Sequence, residues 1–295
     1  DYIDTSKFVL SVSALLQNKL PSQRGFNDLG LQQMVSDWGK LINGTKELVS
    51  FLEAEKIYDY ERLPTETVLA PLSAIFAIMP DKPDIKGELR AILKKYLWRA
   101  FFTVRYESSI PTRIRQDYRA IKNLIDDEGK EEEIPIFDER QYPLPNKELL
   151  IGAGWPKKKD RLARAILLLS LRGGAIDFAD RSPVDRRNIK DREYHHLYPI
   201  DFLQKKGFED KDSNKSLNCA LITWKTNRII SNKNPLTYLI DRAKASGLGE
   251  KEIEKRLSTH LIDYNKLKNG DYQDFIEKRA KSIKELMEKL CRGNE

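Results

Sequence analysis

The sequence predicts a mainly α-helical protein that carries one short strand–strand–helix unit within it. Three observations point there. Apolar residues recur at helical spacing over most of the chain. Glycine and proline fall between those runs rather than inside them. β-Formers cluster in a single stretch, 192–223, on either side of a polar excursion.

Taken in order, "FVLSVSALLQNKL", "LGLQQMVSDWGKLI" and "KELVSFLEAEKI" each space their apolar residues as helices do. "VLAPLSAIFAIM" (68–79) is nearly all apolar and predicts a buried helix, and "GELRAILKKYLWRAFFTVRY" (87–106) a long amphipathic one. After Pro111 a helix restarts with Arg113, Arg115 and Arg119 on a basic face, which is either solvated or in contact with phosphates. Residues 1–125 thus read as one helical domain. Residues 126–156 are acidic at first, proline-bearing and aperiodic, and read as a linker or irregular segment. "KKKDRLARAILLLSLRGGAIDF" (157–178) predicts a basic, then apolar, helix that stops at Gly173 and Gly174. It opens a core unit over 157–240, with the strands and their helix at about 190–232. Residues 241–295 read as C-terminal helices, where His260 reads as a helix-surface residue without a role.

The chain has 295 residues, 40% of them hydrophobic, which is enough for a real core. Its 52 Lys and Arg outnumber 45 Asp and Glu. That mild basicity fits a polyanion partner without requiring one. The two cysteines, Cys219 and Cys291, form no CxxC pair and exclude a disulfide framework or a cysteine-rich zinc site. They fit free thiols in a reducing, cytoplasmic setting. No apolar run approaches the length of a membrane span, so no membrane partner is expected. The start "DYIDTSKFVL" lacks the basic and apolar regions of a signal peptide. It also lacks a methionine, which fits a fragment of a longer chain.

Two of the three histidines are adjacent, His195 and His196 in "REYHHLYP". Asn218 then opens the apolar strand "LNCALIT", and Asn227 follows nine residues later on the candidate helix "TWKTNRIIS", with Thr223 as its N-cap. Neighbouring strand residues point to opposite faces. One histidine can therefore face a metal held against the helix while the other is turned to a substrate by the bend at Pro199. A neutral imidazole suits proton abstraction from water near pH 7. A divalent cation suits stabilisation of a phosphate and its leaving oxygen. Lys225 and Arg228 share the helix with Asn227 and are either contacts to flanking DNA phosphates or ordinary helix-surface charges.

This pattern resembles the HNH endonucleases and their ββα-metal fold. The resemblance implies that His195 and Asn227 are metal ligands, that His196 is the general base, and that Asn218 completes the catalytic motif by tying the two strands together. Many members carry histidine where Asn227 stands. A harder amide oxygen there shifts the expected ion towards Mg2+ or Mn2+. More loosely, "YERLPTETVLAPLSAIFAIM", "LWRAFFTVRYESSIPTRIRQDYRAI" and "GGAIDFADRSPVDRRNIKDREYHHLYP" are similar to the C-terminal half of GmrSD-like and Ssp-type prokaryotic restriction proteins. That similarity implies a DNA-cleaving effector of anti-phage defence whose N-terminal nucleotide-hydrolysing domain is absent from this chain. Two rival functions remain open. One is a helical DNA-binding or protein-interaction module with an inactive motif; the other is an HNH ribonuclease or toxin.

Overall fold

The computed structural model describes residues 5–247 and 249–294. The first four residues of the "DYIDTSKFVL" start lie outside them. The protein is mainly helical, with one two-stranded antiparallel sheet among the described residues. It divides into two compact units. The first comprises residues 5–54, 65–144 and 288–294, and the second 55–64 and 145–287.

The first unit holds α1 (Thr5–Leu16), α2 (Gln23–Asn27), α3 (Leu31–Ser36), α4 (Trp38–Ala54), α5 (Leu69–Ile78), α6 (Pro83–Phe102) and α7 (Ile110–Ile125). Its centre is α5, whose near-continuous apolar sequence buries Leu69, Leu72, Ala74, Ile75 and Phe76. Helix α4 runs unbroken through Gly44, where the sequence suggests two separate helices. A Cβ at Gly44 would overlap the Ser73 carbonyl and lie 2.8 Å from the Ala77 amide, so glycine lets the α4 and α5 backbones touch.

Part of the segment read as a linker, residues 126–144, is built into this unit. Ile134, Ile136 and Tyr142 are buried. The buried Arg99 of α6 donates to the carbonyls of Ile136, at 2.6 Å, and Tyr142, at 2.8 Å. Lys95 pairs with Glu131. Two three-residue 3-10 turns, Glu131–Glu133 and Pro135–Phe137, present these groups, and such turns are too short to produce a helical period. The basic face of α7 is only partly a surface. Arg113 is half-buried and donates to the Arg105 carbonyl, while Arg115 and Arg119 line a cleft of about 680 Å³ with Thr112, Gln116 and Asn123.

The second unit holds α8 (Lys147–Gly152), α9 (Arg161–Leu171), β1 (Arg192–His196), α10 (Ile200–Lys205), α11 (Asp210–Ser213), β2 (Cys219–Thr223), α12 (Trp224–Ile230), α13 (Pro235–Ser246), α14 (Glu250–Ser258), α15 (Tyr264–Lys268) and α16 (Tyr272–Arg292), the last turn of which belongs to the first unit. The three consecutive lysines that were expected to start a helix lie before α9, in a loop, because Asp160 caps that helix by accepting from the Ala163 amide at 3.0 Å. The strands pair with His195 opposite Ala220 and His196 opposite Cys219. Four of the five β2 residues are buried, which removes the alternation a half-exposed strand would show.

Buried charges lock this unit. Arg279 of α16 donates to the carbonyls of Leu217, Cys219 and His260. His260 corrects the surface reading: it is fully buried, with Nε2 2.9 Å from the Ile176 carbonyl. Helix α14 ends at Ser258, so the turn after it carries His260 inward, off the helical period. Burial lowers its pKa to about 4, so the ring is neutral and donates through Nε2.

Candidate active site

Strand β1 sorts its side chains by parity. Glu193 and His195 share one face, and Tyr194 and His196 the other. Helix α12 follows β2 directly, and the Thr223 hydroxyl accepts from the Thr226 amide to start it. One turn in, Asn227 meets the Glu193–His195 face. Its Oδ1 lies 2.8 Å from His195 Nδ1, and its Nδ2 donates to Glu193 Oε2 at 2.6 Å. Since a carboxylate only accepts, Glu193 fixes the amide orientation and turns its oxygen to the histidine. His195 Nδ1 therefore carries the proton in this arrangement, and its buried Nε2 has no hydrogen-bond partner.

His196 is arranged differently. Its Nε2 lies 3.2 Å from Asn214 Oδ1, and Asn214 Nδ2 donates to the Asp210 carbonyl at 3.0 Å. That second bond makes Oδ1 the acceptor, so His196 Nε2 donates and Nδ1 keeps the lone pair. The Trp155 indole stacks on the imidazole at 4.0 Å between centroids and 9° between planes. Burial lowers the pKa of both histidines, against the opposing hydrogen bonds from Asn227 and Asn214, and takes His195 to about 4. Both rings are neutral near pH 7, the form in which one can ligate a metal and the other can accept a proton.

Asn218 is fully buried and ties the strand ends together. It accepts from the Tyr198 amide at 2.9 Å and donates to the carbonyls of Tyr198, at 3.0 Å, and Ser213, at 2.9 Å. Beneath the junction of β2 and α12 lies Asp177. It accepts from the Thr223 amide at 2.7 Å and the Thr226 hydroxyl at 2.5 Å. Burial opposes its charge, but these bonds and the amides of Ala179 and Asp180 hold its pKa below the ordinary carboxylate value.

His195, His196, Asp201, Asn227, Arg228 and Asn232 line one open cleft of about 510 Å³. Arg228 lies over the Trp224 ring, 4.9 Å from its centroid, and Lys225 lies 5.7 Å from the same ring. Three of the four motif residues, His195, His196 and Asn227, are thus brought together with Arg228 in the cleft; Asn218 is buried behind the strand ends, and Lys225 is exposed on α12 but is not part of the cleft wall.

The donors of this site suit a hydrated divalent cation. His195 Nδ1 and Asn227 Oδ1 already face each other at 2.8 Å in a hydrogen bond, so both would be at hand to hold such an ion. His195 would ligate by moving its proton from Nδ1 to the unpartnered Nε2. No group of three or more His, Cys, Asp or Glu that could hold a metal occurs among the described residues. His195 and Asn227 are thus the residues that could hold an ion here, with water or substrate oxygen left to complete its shell, a donor set that suits Mg2+ or Mn2+ better than a structural zinc.

Reading the sequence by itself misses Glu193, Asn214, Asp177 and Trp155. Glu193 had a signal, since it stands two residues before His195 on the same strand face. Trp155 stands in a segment with no periodicity, 41 positions from its partner, and has no local signal.

No family model matches the chain. An uncharacterised protein of Methanocaldococcus jannaschii is 26% identical over 249 residues, covering 79% of this chain and 41% of that protein. The chain thus spans about two-fifths of the length of that relative, whose name assigns it no activity.

Proposed function

We propose that this protein is a metal-dependent DNA endonuclease of the HNH type. The observation that carries the reading is the convergence, in one cleft, of a neutral His196 oriented by Asn214 and Trp155 with the His195–Asn227 donor pair oriented by Glu193. In this reading His196 Nδ1 accepts the proton of the attacking water, and the Nε2–H bond to Asn214 holds the ring in the tautomer that does so. His195 and Asn227 hold Mg2+ or Mn2+, which supplies charge stabilisation to the phosphate and the departing 3′-oxygen when bound. Glu193 keeps the Asn227 oxygen towards the ion. Arg228 and Lys225 contact flanking phosphates. Asn218 contributes by fixing the geometry of the strand ends, not by touching substrate.

A role as the cleaving part of a restriction protein rests on the similarity of the sequence to GmrSD-like chains. The partial coverage of a longer relative is compatible with it. The two buried free cysteines favour a reducing, cytoplasmic setting. No helix among the described residues is long and apolar enough to cross a membrane. The test is nicking of supercoiled plasmid in Mg2+ or Mn2+. DNA binding without any cleavage across both ions would favour the inactive binding module instead.

A further inference from the structure

The loop between α8 and α9, with the sequence Ala153-Gly154-Trp155-Pro156-Lys157-Lys158-Lys159-Asp160, is basic, internally hydrogen-bonded and stacked through Trp155 on the general-base candidate. Its ends are fixed. The Ala153 carbonyl accepts from the Ser216 amide at 3.2 Å, just before β2. Asp160 accepts from the Gly154 amide at 3.3 Å across the loop and caps α9 with its other oxygen. Inside, the Lys158 amide donates to the Trp155 carbonyl at 3.1 Å, and the Asp160 amide to the Lys158 carbonyl at 2.7 Å. Trp155 lies flat on His196. Lys157, Lys158 and Lys159 are exposed, and none forms an ion pair among the described residues.

Three consecutive unpaired ammoniums repel one another, and a polyanion relieves that repulsion. Lys157 is two residues from Trp155, so its Cα lies within about 7.6 Å of the tryptophan Cα. Arg228 lines the cleft, and its helix α12 meets the His195 face of β1. The lysine loop approaches that strand from the His196 face, through Trp155. Strand β1 is therefore flanked by basic groups on both faces, and the loop hydrogen bonds reduce the ordering cost of a contact.

We infer that residues 157–159 form a phosphate clamp that grips the DNA backbone beside the scissile bond, with Trp155 coupling the clamp to His196. The inference rests on the nuclease reading and adds a second basic wall to it.

The test uses the full chain and a fluorescent DNA duplex, with affinity measured between 50 and 200 mM salt without divalent metal, and plasmid nicking measured in parallel. Lys157, Lys158 and Lys159 are changed together to Gln. A control changes Lys251, Lys255 and Lys278, exposed lysines of the same unit, to Gln and so removes the same charge. Two or three lost phosphate contacts lower the slope of log affinity against log salt by about 2–3 and weaken binding at 0.1 M salt on the order of 100-fold. The control is expected to leave the slope within about 0.5 of the wild type. Equal effects of the two triples, with the wild type still cutting, would overturn the clamp and leave the nuclease reading standing. A wild type that neither binds nor nicks DNA would overturn both.

Discussion

Asn218→Ala should cost the second unit several kcal/mol. The side chain is fully buried and makes three hydrogen bonds, one accepted from the Tyr198 amide and two donated to the carbonyls of Tyr198 and Ser213. Alanine leaves all three backbone groups without that partner in a site closed to solvent. An unsatisfied buried group costs roughly 1–3 kcal/mol. The sum is about 3 kcal/mol at the lower bound, and a water molecule entering the vacated space would keep it near that bound. Asn218→Asp is the companion variant: it keeps the acceptor for Tyr198 N–H but places a carboxylate against two carbonyl oxygens, so it should be at least as damaging. The assay is urea unfolding followed by far-UV circular dichroism, with stability read from the shift in midpoint at constant slope. A loss below about 1 kcal/mol for Asn218→Ala, with an unchanged slope, would refute the view that this residue locks the strand ends.

His195→Ala and Asn227→Ala should each raise the Mn2+ concentration needed for half-maximal nicking by about 10-fold or more, and isothermal titration of Mn2+ should show the same loss of affinity. Glu193→Ala should do likewise by releasing the Asn227 amide, while Glu193→Gln, which keeps an acceptor, should recover part of the affinity. Asp177 has a folded pKa below its unfolded one, so its contribution to stability is present above the ordinary value and is lost as pH falls through the folded value. Asp177→Asn should therefore be less stable than the wild type at pH 7, by about 2 kcal/mol from its weakened charge-assisted bonds, and thermal melts should show the gap narrowing as pH drops below about 4. Neither GTP nor ATP should bind this chain at micromolar concentration in a calorimetric titration, because the sequence offers no glycine-rich phosphate loop.

What the sequence makes legible is what lies within short range along the chain. The helical period, the histidine pair, the strand opened by Asn218 and the Thr223 cap that places Asn227 are all local patterns, and the four motif residues fall at the strand ends or one turn into α12. What it conceals depends on distant packing. Trp155 matters only because the fold carries it onto His196, and Arg99 binds carbonyls 37 and 43 positions away. His260 departs from its expected surface because the Ile176 carbonyl, 84 positions earlier, meets it in the core. The acidic stretch at 126–133 resembles a linker in composition, yet Lys95 pairs with Glu131 and the apolar residues just after it are buried. Composition alone does not distinguish a linker from a segment whose few apolar groups all find a core.

The most direct measurement is the rate of supercoiled-plasmid nicking by the wild type and by His196→Ala in saturating Mg2+ or Mn2+. His196 donates to one side chain and stacks on another, so its loss should leave circular dichroism and DNA affinity nearly intact. Removal of a general base typically slows a reaction on the order of 10²–10⁴-fold. The account predicts metal-dependent nicking by the wild type and a drop of that size in the variant. Nicking retained within a few-fold by His196→Ala, or none by the wild type in either ion, would contradict it.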